Sequence, residues 1–116
     1  MPETIAYKVL TTDQLDTLEH EGSFAGAPVD LADGYIHLST ADQLAGTIDK
    51  HFAGQDGLQL AAIDLEALGD AVKWEESRGG ALFPHIYGAP ITLDVVVAYS
   101  PLEYEPDGSI RLPVTG

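Results

Sequence analysis

Two apolar runs limit what this chain can fold into. Residues 58–65 and 91–99 are each too short for a buried helix and end in turn-forming or polar residues, so both read as strands. The second carries the β-branched run Val95-Val96-Val97 and reads as the best strand of the chain. The helical signals lie elsewhere, before residue 55. Thr11 and Gln14 form a capping box, Leu15 and Leu18 follow on one face, and Gly22 is the stop. Thr40 and Gln43 repeat the box, and Leu44, Ile48 and Phe52 then recur every four residues as far as Gly54.

The remaining segments are short. Residues 5–10, 35–39 and 72–76 read as further strands, 82–87 as extended because the residue before Pro84 is pushed out of the α region, and 110–114 as an edge strand, since Pro113 cannot donate to a central ladder. Residues 23–33 are rich in Ala, Pro and Gly and read as a loop ending in an Asp33-Gly34 turn. Residues 66–70 read as a turn or one helical piece, and 77–80 as a loop. About two helices and six strands without regular βαβ alternation predict an α+β fold. No linker or repeat divides residues 1–116, and a chain of this length is expected to form one domain.

Charge narrows the partners. The formal net charge is −14, with 10 acids and 2 bases in residues 1–58 and 9 acids and 3 bases in 59–116. Nucleic-acid binding draws on Lys and Arg to neutralise phosphates, so nucleic acid and anionic membranes are not expected partners. A small anionic ligand remains compatible, since one Arg and a few backbone N–H groups can hold a phosphate. The absence of Cys rules out disulfides, thiolate metal sites and a Cys nucleophile. No apolar run approaches the ~18 residues of a membrane span, and Met1-Pro2-Glu3-Thr4 lacks the basic and apolar regions of a signal peptide, so cytoplasm is the expected compartment.

Three segments carry chemistry. In Gly34-Tyr35-Ile36-His37-Leu38-Ser39-Thr40, strand alternation turns Ile36 and Leu38 one way and Tyr35, His37 and Ser39 the other, directly before a helix N-terminus. The segment suits ligand holding; the plainer reading has His37 bonded to a backbone carbonyl and Thr40 only capping. In Phe83-Pro84-His85-Ile86-Tyr87-Gly88, Phe83, His85 and Tyr87 share a face that suits stacking on a flat ring, or simply packs. In Trp74-Glu75-Glu76-Ser77-Arg78-Gly79-Gly80, Arg78 suits a phosphate or carboxylate, and Glu75 suits a general base or a ribose hydroxyl. The plain alternative there is a surface turn with a screened ion pair. No metal site is expected: His20 and His51 lie near the ends of different helices, and no HExxH spacing occurs. There is no GxSxG elbow, GxGxxG or P-loop either.

Taken together, the early Tyr-Lys-Val-Leu strand, Gly34-Tyr-Ile-His-Leu-Ser-Thr40, Trp74-Glu75 and Phe83-Pro-His-Ile-Tyr-Gly88 resemble the bacterial and plant family known as domain of unknown function 952. The resemblance spans nearly the whole chain. It implies a fold similar to that of ADP-ribosyltransferases, a split and mainly antiparallel β structure with few helices. Enzymes of that wider fold hold NAD with an early-strand His, a stacking aromatic and often a later Glu. The resemblance therefore implies His37 as the ribose or nicotinamide anchor, Tyr87 or Tyr35 as the stacking ring, and Glu75 with His37 as the catalytic pair. RNA 2′-phosphotransferases of the fold use several basic residues that this chain lacks.

The leading expectation is an NAD- or nucleotide-ribose-binding protein with ADP-ribosyl-transfer-like activity. Its cleft would be lined by Tyr35, His37, Ser39, Thr40, Phe83, His85 and Tyr87, with Arg78 on the pyrophosphate and Glu75 at the developing oxocarbenium charge. NAD enters as a substrate, and no resident cofactor is implied. The alternatives are a non-catalytic module binding a small metabolite or a protein through the same cleft, and a structural account in which both His residues are buried and satisfied.

Overall fold

The structure, a computed structural model, describes residues 4–76 and 80–113. Strand β1 (Ile5–Leu10) leads into helix α1 (Thr12–Glu21), followed by β2 (Ser23–Phe24), α2 (Pro28–Asp33), β3 (Ile36–His37) and α3 (Leu44–His51). Strand β4 (Gln59–Asp64), helix α4 (Leu65–Leu68), β5 (Val72–Glu76) and β6 (Leu82–Ile86) come next, then β7 (Ile91–Thr92), β8 (Val96–Pro101), β9 (Glu103–Tyr104) and β10 (Ile110–Arg111). The architecture is mixed α+β, and every strand pair is antiparallel among the described residues.

Two three-stranded sheets organise it, in the orders β1-β4-β8 and β3-β6-β5. A backbone bridge joins them: the Tyr7 N–H donates to the Ser39 carbonyl at 2.7 Å and the Ser39 N–H to the Tyr7 carbonyl at 2.9 Å. Strands β1 and β4 are covered on both faces, which is why residues 58–65 read as a continuous apolar run rather than an alternating one. One face, with Ala6, Leu10, Ala61 and Ile63, packs on α1 through Leu15 and Leu18 and on the second sheet through Ile36, Leu38 and Ile86. The other, with Tyr7, Val9, Leu60 and Ala62, packs on α3 through Leu44 and Ile48.

The capping box at Thr11 is present, with Gln14 N–H on the Thr11 hydroxyl and Thr11 N–H on the Gln14 side chain. Three expectations need correction. Residues 23–33 are not simply a loop: they hold β2 and α2, the helix starting with Pro28 in its first turn and stopping at Gly34, whose φ of 89° is the left-handed cap that Gly tolerates. The helices number four among the described residues rather than about two: α2 is unexpected, being too short to show a helical period, and α4 is the short helical piece that is one reading of residues 66–70. The run 91–99 is not one strand. A 3-10 turn at Leu93–Val95 interrupts it, because β7 pairs with β2 while β8 pairs with β4, and the chain must change sheets between them. Val97 is accordingly 43% exposed on an edge strand rather than in the core. Ser77, Arg78, Gly79 and Val114 lie outside the described residues.

Candidate functional site

The two His-bearing segments meet in register. Strands β3 and β6 pair antiparallel with His37 opposite His85, and the imidazole centroids lie 5.3 Å apart. Tyr35 packs against three rings, with centroid separations of 4.7 Å to His37, 4.3 Å to His85 and 5.1 Å to Tyr87. The alternation expected over residues 35–39 is present: Ile36 and Leu38 are buried in the core, while Tyr35 and His37 are only half-buried.

At the seam between the sheets lies a cavity of ≈ 250 Å³. Its wall takes Tyr35, His37, Ser39, Phe83 and His85 from the expected set, with Tyr7 and Phe52 adding aromatic surface and Lys50 lying on α3. Ser39 is fixed by an Oγ to Thr47 Oγ1 contact of 2.7 Å. Thr40, Glu75 and Tyr87 are not among the described lining residues. Thr40 is buried and donates its N–H to the Gln43 side chain at 3.0 Å, so it starts the helical segment. Arg78 lies outside the described residues.

Glu75 and Tyr87 reach the cavity through His85. Glu75 Oε1 accepts from His85 Nδ1 at 2.8 Å and from the Tyr87 hydroxyl at 2.6 Å. The Tyr87 bond, then the His85 bond, hold the Glu75 carboxyl below its usual range, and the same carboxylate pushes the Tyr87 phenol up to about 12. A carboxylate only accepts, so Nδ1 carries a proton, and in the neutral tautomer of the ring Nε2 is the nitrogen with the lone pair. Nε2 has no partner among the described residues.

His37 is held differently. Its Nδ1 lies 2.7 Å from Asp30 Oδ1 and its Nε2 lies 2.9 Å from Asp33 Oδ2. Asp30, only 2% exposed, also accepts from Lys8 Nζ at 2.8 Å and from the Ala27 and His37 N–H groups at 2.7 and 3.0 Å. Burial alone would raise the Asp30 carboxyl; the His37 hydrogen bonds and the Lys8 charge outweigh it and hold the group well below the carboxylate range. Burial lowers the Lys8 ammonium, against the pull of Asp30. Sequence reasoning passed over Lys8 and Asp30. The signal was there: Lys8 alternates with Ala6 and Leu10 on an inward face, and a buried Lys requires a buried acid.

Comparisons place the chain. Residues 9–99 match the family described as protein of unknown function DUF952. The chain belongs to the DUF952 family. It is 44% identical to protein CC0527 from Caulobacter crescentus in its X-ray crystal structure, with a TM-score of 0.83 over 94% of this chain and 95% of that one. The solution NMR structure of CC0527 from the same organism gives 44% identity and a TM-score of 0.77 over 92% of this chain and 91% of that one. No curated protein matches. In this DUF952 chain no helix is long and apolar enough to cross a membrane among the described residues.

Proposed function

We propose that this DUF952 protein binds a nucleotide-ribose, NAD or a fragment of it, in the cavity between its two sheets. The fold is read as ADP-ribosyltransferase-like, and His37, Tyr35 and His85 as the ring-and-ribose end of the site. One observation carries the reading: the His37–His85 register, which brings two imidazoles and Tyr35 to one concave wall. Ligand sites for drug-sized molecules run from about 300 to 1,000 Å³. At ≈ 250 Å³ the cavity takes one ring or one sugar, and the rest of a dinucleotide would lie across its mouth. The aromatic wall of Tyr7, Phe52 and Phe83 suits the flat ring. Lys50 at the wall stands in a chain with few cations and suits a phosphate.

A second reading has its own support. Both His37 nitrogens face protein carboxylates, which supports a non-catalytic module that binds a small metabolite or a protein through the same cleft. Calorimetric titration with NAD and ADP-ribose at millimolar ligand tests the shared claim. Heat with either ligand, lost on Phe83→Ala, is expected; no heat with either removes it.

A further inference from the structure

We propose that His85 is the proton-transfer group of the cavity and Glu75 its positioning residue, serving hydrolysis of the bond between a ribose anomeric carbon and a ring nitrogen. This rests on the nucleotide-ribose reading above. It departs from the sequence-based expectation, which named Glu75 and His37 as catalytic, with His37 anchoring the ribose or nicotinamide and Glu75 at the developing oxocarbenium charge.

The two histidines are not equivalent. His37 has a carboxylate at each nitrogen, so it has no lone pair directed at a ligand. His85 has one carboxylate on Nδ1 and no described partner on Nε2, and it lines the cavity while only 3% exposed. A buried ring with one nitrogen anchored to a carboxylate and the other presenting a lone pair to a cavity is the arrangement of an oriented general base. Tyr87 shares the Glu75 oxygen, which fixes the carboxylate from a second direction. The Tyr35 ring centroid lies 4.3 Å from that of His85. Together these limit how the imidazole can turn.

The step balances with water as the only co-reactant. A water oxygen bonds to the anomeric carbon as the carbon–nitrogen bond breaks. The electron pair of that bond leaves with the nicotinamide ring, which becomes neutral. The water's proton passes to His85 Nε2 and from there to solvent, leaving nicotinamide and ADP-ribose.

The experiment uses the full chain and NAD, measuring nicotinamide release and calorimetric binding in parallel. The wild type is expected to release nicotinamide above the uncatalysed rate. Glu75→Gln is expected to lower kcat about 100-fold with KM changed less than about three-fold, the range for a displaced acid–base group. His85→Gln is expected to abolish release while retaining binding, and imidazole added to His85→Ala is expected to restore part of the rate. A merely structural His85 would give no imidazole rescue. NAD binding without release overturns this inference and leaves the binding reading standing, as does release that persists in His85→Gln. Absence of both binding and release overturns the two together.

Discussion

Lys8 Nζ lies 2.8 Å from Asp30 Oδ2, with the two side chains 8% and 1% exposed, so the seam between the sheets is closed by a buried ion pair. The pair also carries the site. The same ammonium donates to the His37 carbonyl at 3.0 Å, and the same carboxylate holds the His37 ring and backbone. Removing one partner strands the other charge away from water. Breaking such a pair costs about 3–5 kcal/mol, so Asp30→Ala is expected to lose that much in urea unfolding. Lys8→Met with Asp30→Leu should not restore it, because the Ala27 and His37 N–H groups remain without their acceptor. A double variant as stable as the wild type contradicts this account.

The acid limb of stability follows from the same residue. The folded Asp30 pKa is depressed against an unfolded value of about 3.9. Its contribution is therefore complete above the unfolded pKa and is lost as pH falls through that value toward the folded one. The wild-type urea midpoint is expected to drop more steeply below pH ~4 than that of Asp30→Asn, which has no carboxylate to protonate at this position. Parallel curves for the two proteins would place the acid sensitivity elsewhere.

Gly26 gives a backbone test of the same seam. Its φ of +133° lies where L side chains rarely sit, and a Cβ there would stand 2.9 Å from the Asp30 Cβ. Gly26→Ala meets both obstacles, and a shift of Asp30 to relieve the contact would disturb its bonds to Lys8 and His37. A loss of about 2 kcal/mol or more in urea unfolding is expected, above the ~1 kcal/mol typical of a point change. Gly22→Ala is the control: it shares a positive φ of 80° but meets nothing within 4 Å, and should cost less.

What the sequence made legible was local. The capping box at Thr11 and the alternation over 35–39 depend on near neighbours and could be read directly. The break at Leu93–Val95 could not, since Val95-Val96-Val97 has strand propensity throughout and only the change of sheet partner interrupts it. The convergence of His37 and His85 was expected as a possibility, but their register is set by the packing of Ile36 and Ile86 in the core. The roles of Asp30 and Asp33 were hidden because α2 spans 6 residues, too few for a helical period to separate its faces. Glu75 was named from its neighbours in sequence, whereas its bond to His85 depends on the β5–β6 pairing.

The Glu75–Tyr87 bond has a spectroscopic signature. The carboxylate holds the Tyr87 phenol up to about 12, chiefly by accepting its hydrogen bond. Glu75→Gln removes the negative charge, so of the five phenols in the chain Tyr87 chiefly, and Tyr35 to a smaller degree, are expected to ionise at lower pH. Alkaline titration of tyrosinate absorbance reads this directly. Superimposable curves for wild type and Glu75→Gln would show that the bond does not hold in solution.

Val29 tests where the ligand sits. It projects from α2, is 47% exposed and lines the cavity wall, so a larger side chain there obstructs the mouth without entering the core. Exposed substitutions away from special features usually change stability by no more than about 0.5 kcal/mol, so Val29→Trp is expected to fold as the wild type does. Its affinity for NAD should fall at least ten-fold, roughly 1.4 kcal/mol of binding free energy. Leu31→Trp is the matched control: Leu31 is 65% exposed on the same helix and is absent from the described wall of this cavity. Equal loss in both variants points to a general disturbance of α2, and unchanged affinity in both moves the nucleotide to another surface.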